Sequence, residues 1–187
     1  MDGRYPHMTK PKNSPKEFSQ QLHTDYDQLG RDIVATWFLY NKSGSYAKNN
    51  PDIYGVDLML YEEISDRLIG YAEVEIRQNW DGDTINFPTL HVPYRKKKLL
   101  DNIMPTVFFA INKQLTHMYC CAAKTILNAP VIEVPNKYKN KGELFYNIPV
   151  EQLAHYETGW HQTPHGHQNK PNNTANTLDT NTPHIVH

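Results

Sequence analysis

Cysteine is nearly absent from this chain, and the two that occur, Cys120 and Cys121, are adjacent. Neighbours on a strand point to opposite faces, so a bridge between them is geometrically poor and a disulfide scaffold is excluded. Net charge is also scarce: −1 at pH 7 over 187 residues, which rules out a general basic coat and leaves contact with any polyanion to local clusters of Lys and Arg. No uninterrupted apolar run is long enough to cross a bilayer, and the opening MDGRYPHMTKPKNSPKEF lacks the apolar core of a signal peptide. The expectation is a soluble, cytoplasmic protein with no membrane partner. Missing too are a P-loop, Gly-x-Ser-x-Gly, HExxH and paired CxxC, so the chemistries that depend on them have no foothold.

What is present suits one domain with polar ends. Residues 1–14 are rich in Pro, Lys and Asn and read as a flexible N-terminus. Residues 158–187 form a His- and Asn-rich tail too poor in apolar residues to offset the entropy of ordering. Between them, residues 15–157 hold the folded part. Ser14 or Ser19 is placed to cap a helix running toward Tyr40, because Phe18, Leu22, Leu29, Ile33, Val34, Trp37 and Phe38 recur by threes and fours. NKSGSYAKNNPD reads as a loop, GVDLMLYEE as a largely buried strand, and LIGYAEVEIRQ as its partner across the ISDR turn. Asp-Gly in NWDGD predicts a hairpin into a third strand, TLHVPY. RKKKLLDN is a link, TVFFAINKQLTHMYCCAAKTIL reads as two strands around Asn112 to Gln114 or as a strand and a helix, and VIEVP and ELFYNI are further strand candidates. The fold class is therefore α+β or mixed α/β, one sheet with an N-terminal helix packed on it.

Period-two alternation in GYAEVEIRQ puts Glu73, Glu75 and Arg77 on one face and Val74 and Ile76 on the other. Two like charges side by side on a strand carry a cost. Asp57 stands in GVDLML, a run otherwise without charge, and an acid there needs a partner. An antiparallel register across ISDR brings all three carboxylates together. Unopposed, they raise one another's pKa and destabilise the fold; a divalent cation reverses the sign of that interaction, and hard oxygen ligands suit Mg²⁺, with Mn²⁺ as the substitute. The blander reading places Glu73 and Glu75 on a solvated face beside Arg77 and Arg67 and leaves Asp57 unexplained.

A helix, an acid in a strand, then acid-x-acid on the next strand resembles the PD-(D/E)XK nuclease superfamily, whose fold is restriction endonuclease-like. Sixteen residues separate Asp57 from Glu73, as one hairpin requires. No lysine follows Glu73 at the usual position; EVE is similar to the variant of the motif in which glutamate replaces it. The resemblance covers about residues 30–111. It implies a Mg²⁺-dependent endonuclease acting on DNA, with Asp57, Glu73 and Glu75 as ligands and catalytic groups and Arg77 as an electrostatic aid. Gly30 and Asp32 in LGRDIVATWF are similar to the glycine-and-acid pattern of resolvase-like members, which adds Asp32 as a metal candidate; its bland counterpart is an exposed helix charge. Cutting two strands would call for a homodimer. The alternative from another class is a non-catalytic nucleic-acid-binding or assembly protein with a degraded site, for which the missing lysine speaks.

Arg95, Lys96, Lys97 and Lys98 follow the third strand as four adjacent cations able to track a phosphate backbone, or simply to sit in water. Lys137, Lys139 and Lys141 form a second basic run that reads as a polar loop. His91 and His117 lie in strand candidates and read as structural, as do the two cysteines.

Overall fold

The structure is a computed structural model describing residues 20–135, 141–161 and 168–169. Residues 1–14, most of the His- and Asn-rich tail, Lys137 and Lys139 lie outside the described residues. Helix α1 spans Gln20–Asn41. Of the expected stripe Ile33, Val34, Trp37 and Phe38 are buried and Leu29 is half-buried, while Phe18 and the expected caps Ser14 and Ser19 lie outside the described residues; each large side chain removed from water there contributes about 1.5–3 kcal/mol. The stripe rests on a six-stranded sheet ordered β1-β2-β3-β5-β6-β9: β1 Ser45–Asn49, β2 Leu58–Glu62, β3 Leu68–Arg77, β5 Thr106–Asn112, β6 His117–Ala122 and β9 Ala154–Glu157. Neighbours are antiparallel except β3 and β5, which run parallel, so the sheet is mixed.

Three expectations change. The segment read as a loop contains β1, an edge strand whose polar composition hid it; Tyr46 stacks on Tyr61 across the strand pair at 5.5 Å, with the Lys48 ammonium about 5 Å from both rings. NWDGD does not turn a hairpin: residues 78–88 form a long excursion, and β4 (Thr89–Pro93) leaves the main sheet to pair with β8 (Glu143–Pro149), which also pairs with β7 (Val131–Val134). There are thus two principal sheets where one was expected. Third, ordered chain continues past residue 157, since the Thr158 hydroxyl donates to the Leu115 carbonyl at 2.6 Å and β10 (Trp160–His161) pairs with β11 (Gln168–Asn169).

Both faces of the main sheet are covered, which explains the near-continuous apolar run of β5. Phe109 and Ile111 join the core under α1, while Phe108 and Ala110 join a second core with Leu90, Val92, Tyr146 and Ile148 of the small sheet. Cys120 and Cys121 divide between the two cores, as their adjacency requires. The second core also takes Leu100, from α2 (Lys97–Leu100), and Ile126, from α3 (Ala123–Leu127), where the sequence allows either a helix or a strand. No helix among the described residues is long and apolar enough to cross a membrane.

Candidate functional site

The apolar face of β3 meets α1 closely. A β-carbon on Gly30 would lie 3.2 Å from the Ile76 side chain and 3.3 Å from Val74, a tight contact that the glycine spares. The other face carries Glu73, Glu75 and Arg77 toward the small sheet, as period two requires.

Asp57 is not in mid-strand. It sits one residue before β2, and because Leu58 pairs with Ala72, the next antiparallel step sets Asp57 beside Glu73. One carboxylate oxygen accepts the Val74 backbone N–H at 2.8 Å; the other meets the Arg31 guanidinium, reaching down from α1, at 3.3 Å. Glu73, only 4 % exposed, accepts from the Lys96 ammonium at 2.5 Å, and the same ammonium is 3.6 Å from Glu75. Glu75 also pairs with Arg77 at 3.4 Å, whose other nitrogen donates to the His91 carbonyl of β4 at 2.7 Å. Each acid thus has a cation of its own, drawn from α1, from the turn after β4, and from β3 itself. That pairing lets the sheet hold two glutamates on one face.

Burial dominates the electrostatics. It lifts the Glu73 carboxyl from its ordinary 4.5 to about 7; Lys96 draws it down in part, while Asp57 and Glu75 push it up, which is how closely the three acids approach. For Lys96, burial alone lowers the pKa, but Glu73, Glu75 and Asp57 together outweigh it and hold the ammonium above its usual value. Burial lowers that of Arg77, opposed by Glu75. Both cysteine thiols are pushed up to about 12 by burial, which leaves them without nucleophilic character.

The donor set is suited in kind to a hard divalent cation. Glu73 Oε2 and Glu75 Oε2 are buried without a hydrogen-bond partner, two carboxylate oxygens taken from water and not fully repaid within the protein. In position it is incomplete: among the described residues no group of three or more Asp, Glu, His or Cys stands so as to hold a metal ion, and Lys96 bridges the two glutamates instead.

Other expected residues fall elsewhere. Asp32 is exposed and accepts from Gln28 at 2.7 Å; one position along a helix turns a side chain by about 100°, so its neighbour Arg31 reaches the acids instead. The run Arg95–Lys98 does not act as a unit. Arg95, Lys97 and Lys98 are exposed, whereas Lys96 turns inward with its side chain 17 % exposed and its ammonium 5.9 Å from the Phe108 ring. Neither Arg31 nor the inward role of Lys96 was expected. For Lys96 a signal existed: Val92 and Leu100, both buried, lie four residues either side of it. Two cavities flank the row of acids. A polar cleft of about 460 Å³ opens beside Asp57 and Arg31, lined also by Gln28, Asn49 and Asp52, and a smaller one lies beyond Arg77. Against known proteins, the chain matches no family model, no curated protein and no solved structure.

Proposed function

We propose that the chain is a metal-dependent nuclease of the PD-(D/E)XK type, with a restriction endonuclease-like fold, that hydrolyses phosphodiester bonds in DNA. The observation that carries the reading is the Lys96 ammonium on Glu73 and Glu75. The commonest form of the motif places a lysine two residues after the central acid; here an ammonium arrives at the same pair of acids from the turn after β4.

In this reading Asp57, Glu73 and Glu75 would hold Mg²⁺ or Mn²⁺. Such an ion would supply Lewis-acid polarisation and a more acidic water. Arg31 and the Val74 N–H fix the Asp57 carboxylate. Glu73, whose carboxyl burial lifts to about 7 in the metal-free chain, would have to give up its proton to bind the ion, so metal binding should strengthen as pH rises through neutrality. Lys96 offers its charge to the phosphate as negative charge develops, and Arg77, which cannot serve as a base, anchors Glu75. The polar cleft opens at the Asp57 and Arg31 end of the cluster.

The test is cleavage of plasmid and single-stranded DNA with Mg²⁺ or Mn²⁺ by the parent, Asp57→Asn and Glu73→Gln. The expected result is cleavage by the parent and loss of about a hundredfold or more in each variant, the order for removing a catalytic group. A parent that binds DNA without cutting it favours the second reading, a non-catalytic nucleic-acid-binding protein. The closed contact of Lys96 on Glu73, where a ligand-ready site would stand open, is the observation on that side.

A further inference from the structure

Among the described residues the ion pairs of the Lys96 ammonium go to Glu73, at 2.5 Å, and to Glu75, at 3.6 Å. Asp57 adds its field, so three carboxylates act on one cation. The other two cations of the cluster are each anchored twice. Arg31 holds Gln28 as well as Asp57, and Arg77 holds the His91 carbonyl as well as Glu75. Lys96 has no second anchor of that kind among the described residues; beyond the acids its ammonium has the Phe108 ring, 5.9 Å away. A way out is open to it. Its side chain is 17 % exposed, its four-carbon stem is flexible, and it rises from the short turn Tyr94–Lys96, where its chain neighbours Arg95 and Lys97 stand in water.

The ammonium is also an incomplete occupant. With one charge and three donors it leaves Glu73 Oε2 and Glu75 Oε2 buried without a hydrogen-bond partner, although Glu73 is only 4 % exposed. Neither oxygen is reached from the surface while Lys96 is in place; whatever serves them has to stand inside the cluster, where the ammonium stands. A monovalent ion would bring no more charge than it replaces, and the acids repel an anion. A small divalent cation brings twice the charge, takes several carboxylate oxygens at once and needs no more room than the ammonium gives up.

We propose that Lys96 is an internal cation that a divalent ion displaces, so that ammonium and metal occupy the acid cluster alternately and the released side chain turns outward beside Arg95 and Lys97. The inference rests on the metal site of the nuclease reading and adds its regulation. The chain's own charge closes the site until Mg²⁺ or Mn²⁺ competes for it, and the absence, among the described residues, of three acids standing ready to hold an ion belongs to the closed form. Metal then binds more weakly than the three carboxylates alone would allow, and its entry frees the charge that the nuclease reading offers to phosphate.

The experiment needs no DNA. The full chain receives a brief pulse of an acetylating reagent at pH 8, in EDTA or in Mg²⁺ at matched ionic strength, and each lysine is read by mass spectrometry. Lys96 is expected to react more slowly than the exposed Lys98 in EDTA and to approach its rate as Mg²⁺ saturates. Calorimetry at pH 9, well above the value of about 7 for Glu73, then compares the Mg²⁺ affinity of the parent, Lys96→Met and Lys98→Met. Lys96→Met is expected to bind at least about tenfold more tightly, because a unit charge about 4 Å from the ion opposes it by more than that even at an effective dielectric of about 20. Lys98→Met should match the parent. Equal or weaker binding by Lys96→Met, or a parent saturated with Mg²⁺ whose Lys96 reacts as slowly as in EDTA, would overturn the proposal. Should Lys96→Met fail to fold, labelling of the parent decides by itself, and a Lys96 that stays slow at every Mg²⁺ concentration overturns it. The two readings fail separately. Displacement of Lys96 without DNA cleavage sinks the nuclease and keeps the exchange, whereas Mg²⁺-dependent cleavage with Lys96 still protected sinks the exchange and keeps the nuclease.

Discussion

Replacing Glu73 by Gln isolates the energetic cost of the central acid. The amide matches the protonated carboxyl in size, so below pH 4.5, where Glu73 is neutral both folded and unfolded, parent and variant should be nearly equal in stability. As pH rises the unfolded chain ionises first, from 4.5, while the folded chain holds its proton up to about 7. Over that interval the native state binds more protons than the unfolded state, and stability falls with pH. At 1.36 kcal/mol per pH unit the gap from 4.5 to about 7 amounts to about 3 kcal/mol, lost by the parent and not by Glu73→Gln. Other titrating groups, His155 among them, are common to both proteins and cancel in the difference. Urea denaturation of both proteins at half-unit steps from about pH 4 to pH 8.5 reads the difference directly, since the unfolding slope is set by surface exposed and is shared. The difference curve should descend with pH and level off above about 7.5. Curves that stay parallel would refute the electrostatic account of Glu73, and a parent that gains relative stability with pH would reverse its sign. Mg²⁺ added at pH 8 should then raise the stability of the parent more than that of the variant, by RT ln(1 + [Mg²⁺]/Kd) at a site the ionised carboxylate helps to form.

Gly30→Ala sets a β-carbon 3.2 Å from the Ile76 side chain while gaining about 1 kcal/mol of helix propensity, so the melting temperature reads whether that contact can give: a fall shows α1 locked against β3, a rise shows that Ile76 yields. Among the four adjacent cations, Lys97→Ala and Lys98→Ala should each flatten the dependence of log K for DNA on log salt concentration by about 0.9, the slope for one lost phosphate contact. Unchanged slopes in both would remove the exposed lysines from the interface and leave them as solvated charges.

The large apolar patterns were legible in the sequence. The stripe of α1 follows one period through Ile33, Val34, Trp37 and Phe38, and in β3 the same kind of reading sorts the side chains into two faces, although both faces are partly or wholly buried. The pairing of β2 with β3 followed from the same alternation and a short turn. The division into two sheets was not legible, because the residues after β3 carry hairpin chemistry while the choice of partner for β4 is made by β8, more than fifty residues later. The edge strand β1 was hidden by polar composition, since its stabilising contacts are cross-strand rings and a lysine and not a buried face. In the site, the acids were visible and their cations were not. A carboxylate in an apolar run announces itself, but Arg31 and Lys96 sit among residues of their own kind, and only the surrounding burial distinguishes Lys96 from Lys97 and Lys98.

The cations change what the acids imply. Glu73 and Glu75 on one strand, with Asp57 beside them, would repel by several kcal/mol if left alone in a medium of low effective dielectric. Arg31, Lys96 and Arg77 bring three positive charges against the three acids, so the cluster reaches neutrality once Glu73 ionises, above about pH 7. Neutrality removes the need for a metal to hold the fold together, and it also removes any general attraction for phosphate at the acids. Under the nuclease reading both consequences serve one end. The folded chain holds its carboxylates in place without a cation, and a divalent ion that enters gives the cluster two positive charges, the sign a phosphodiester requires. Metal and polyanion should therefore strengthen each other's binding by the same factor, as linkage demands. Lys96, held on Glu73 in the folded chain, is the group that would gain a new partner under that reading.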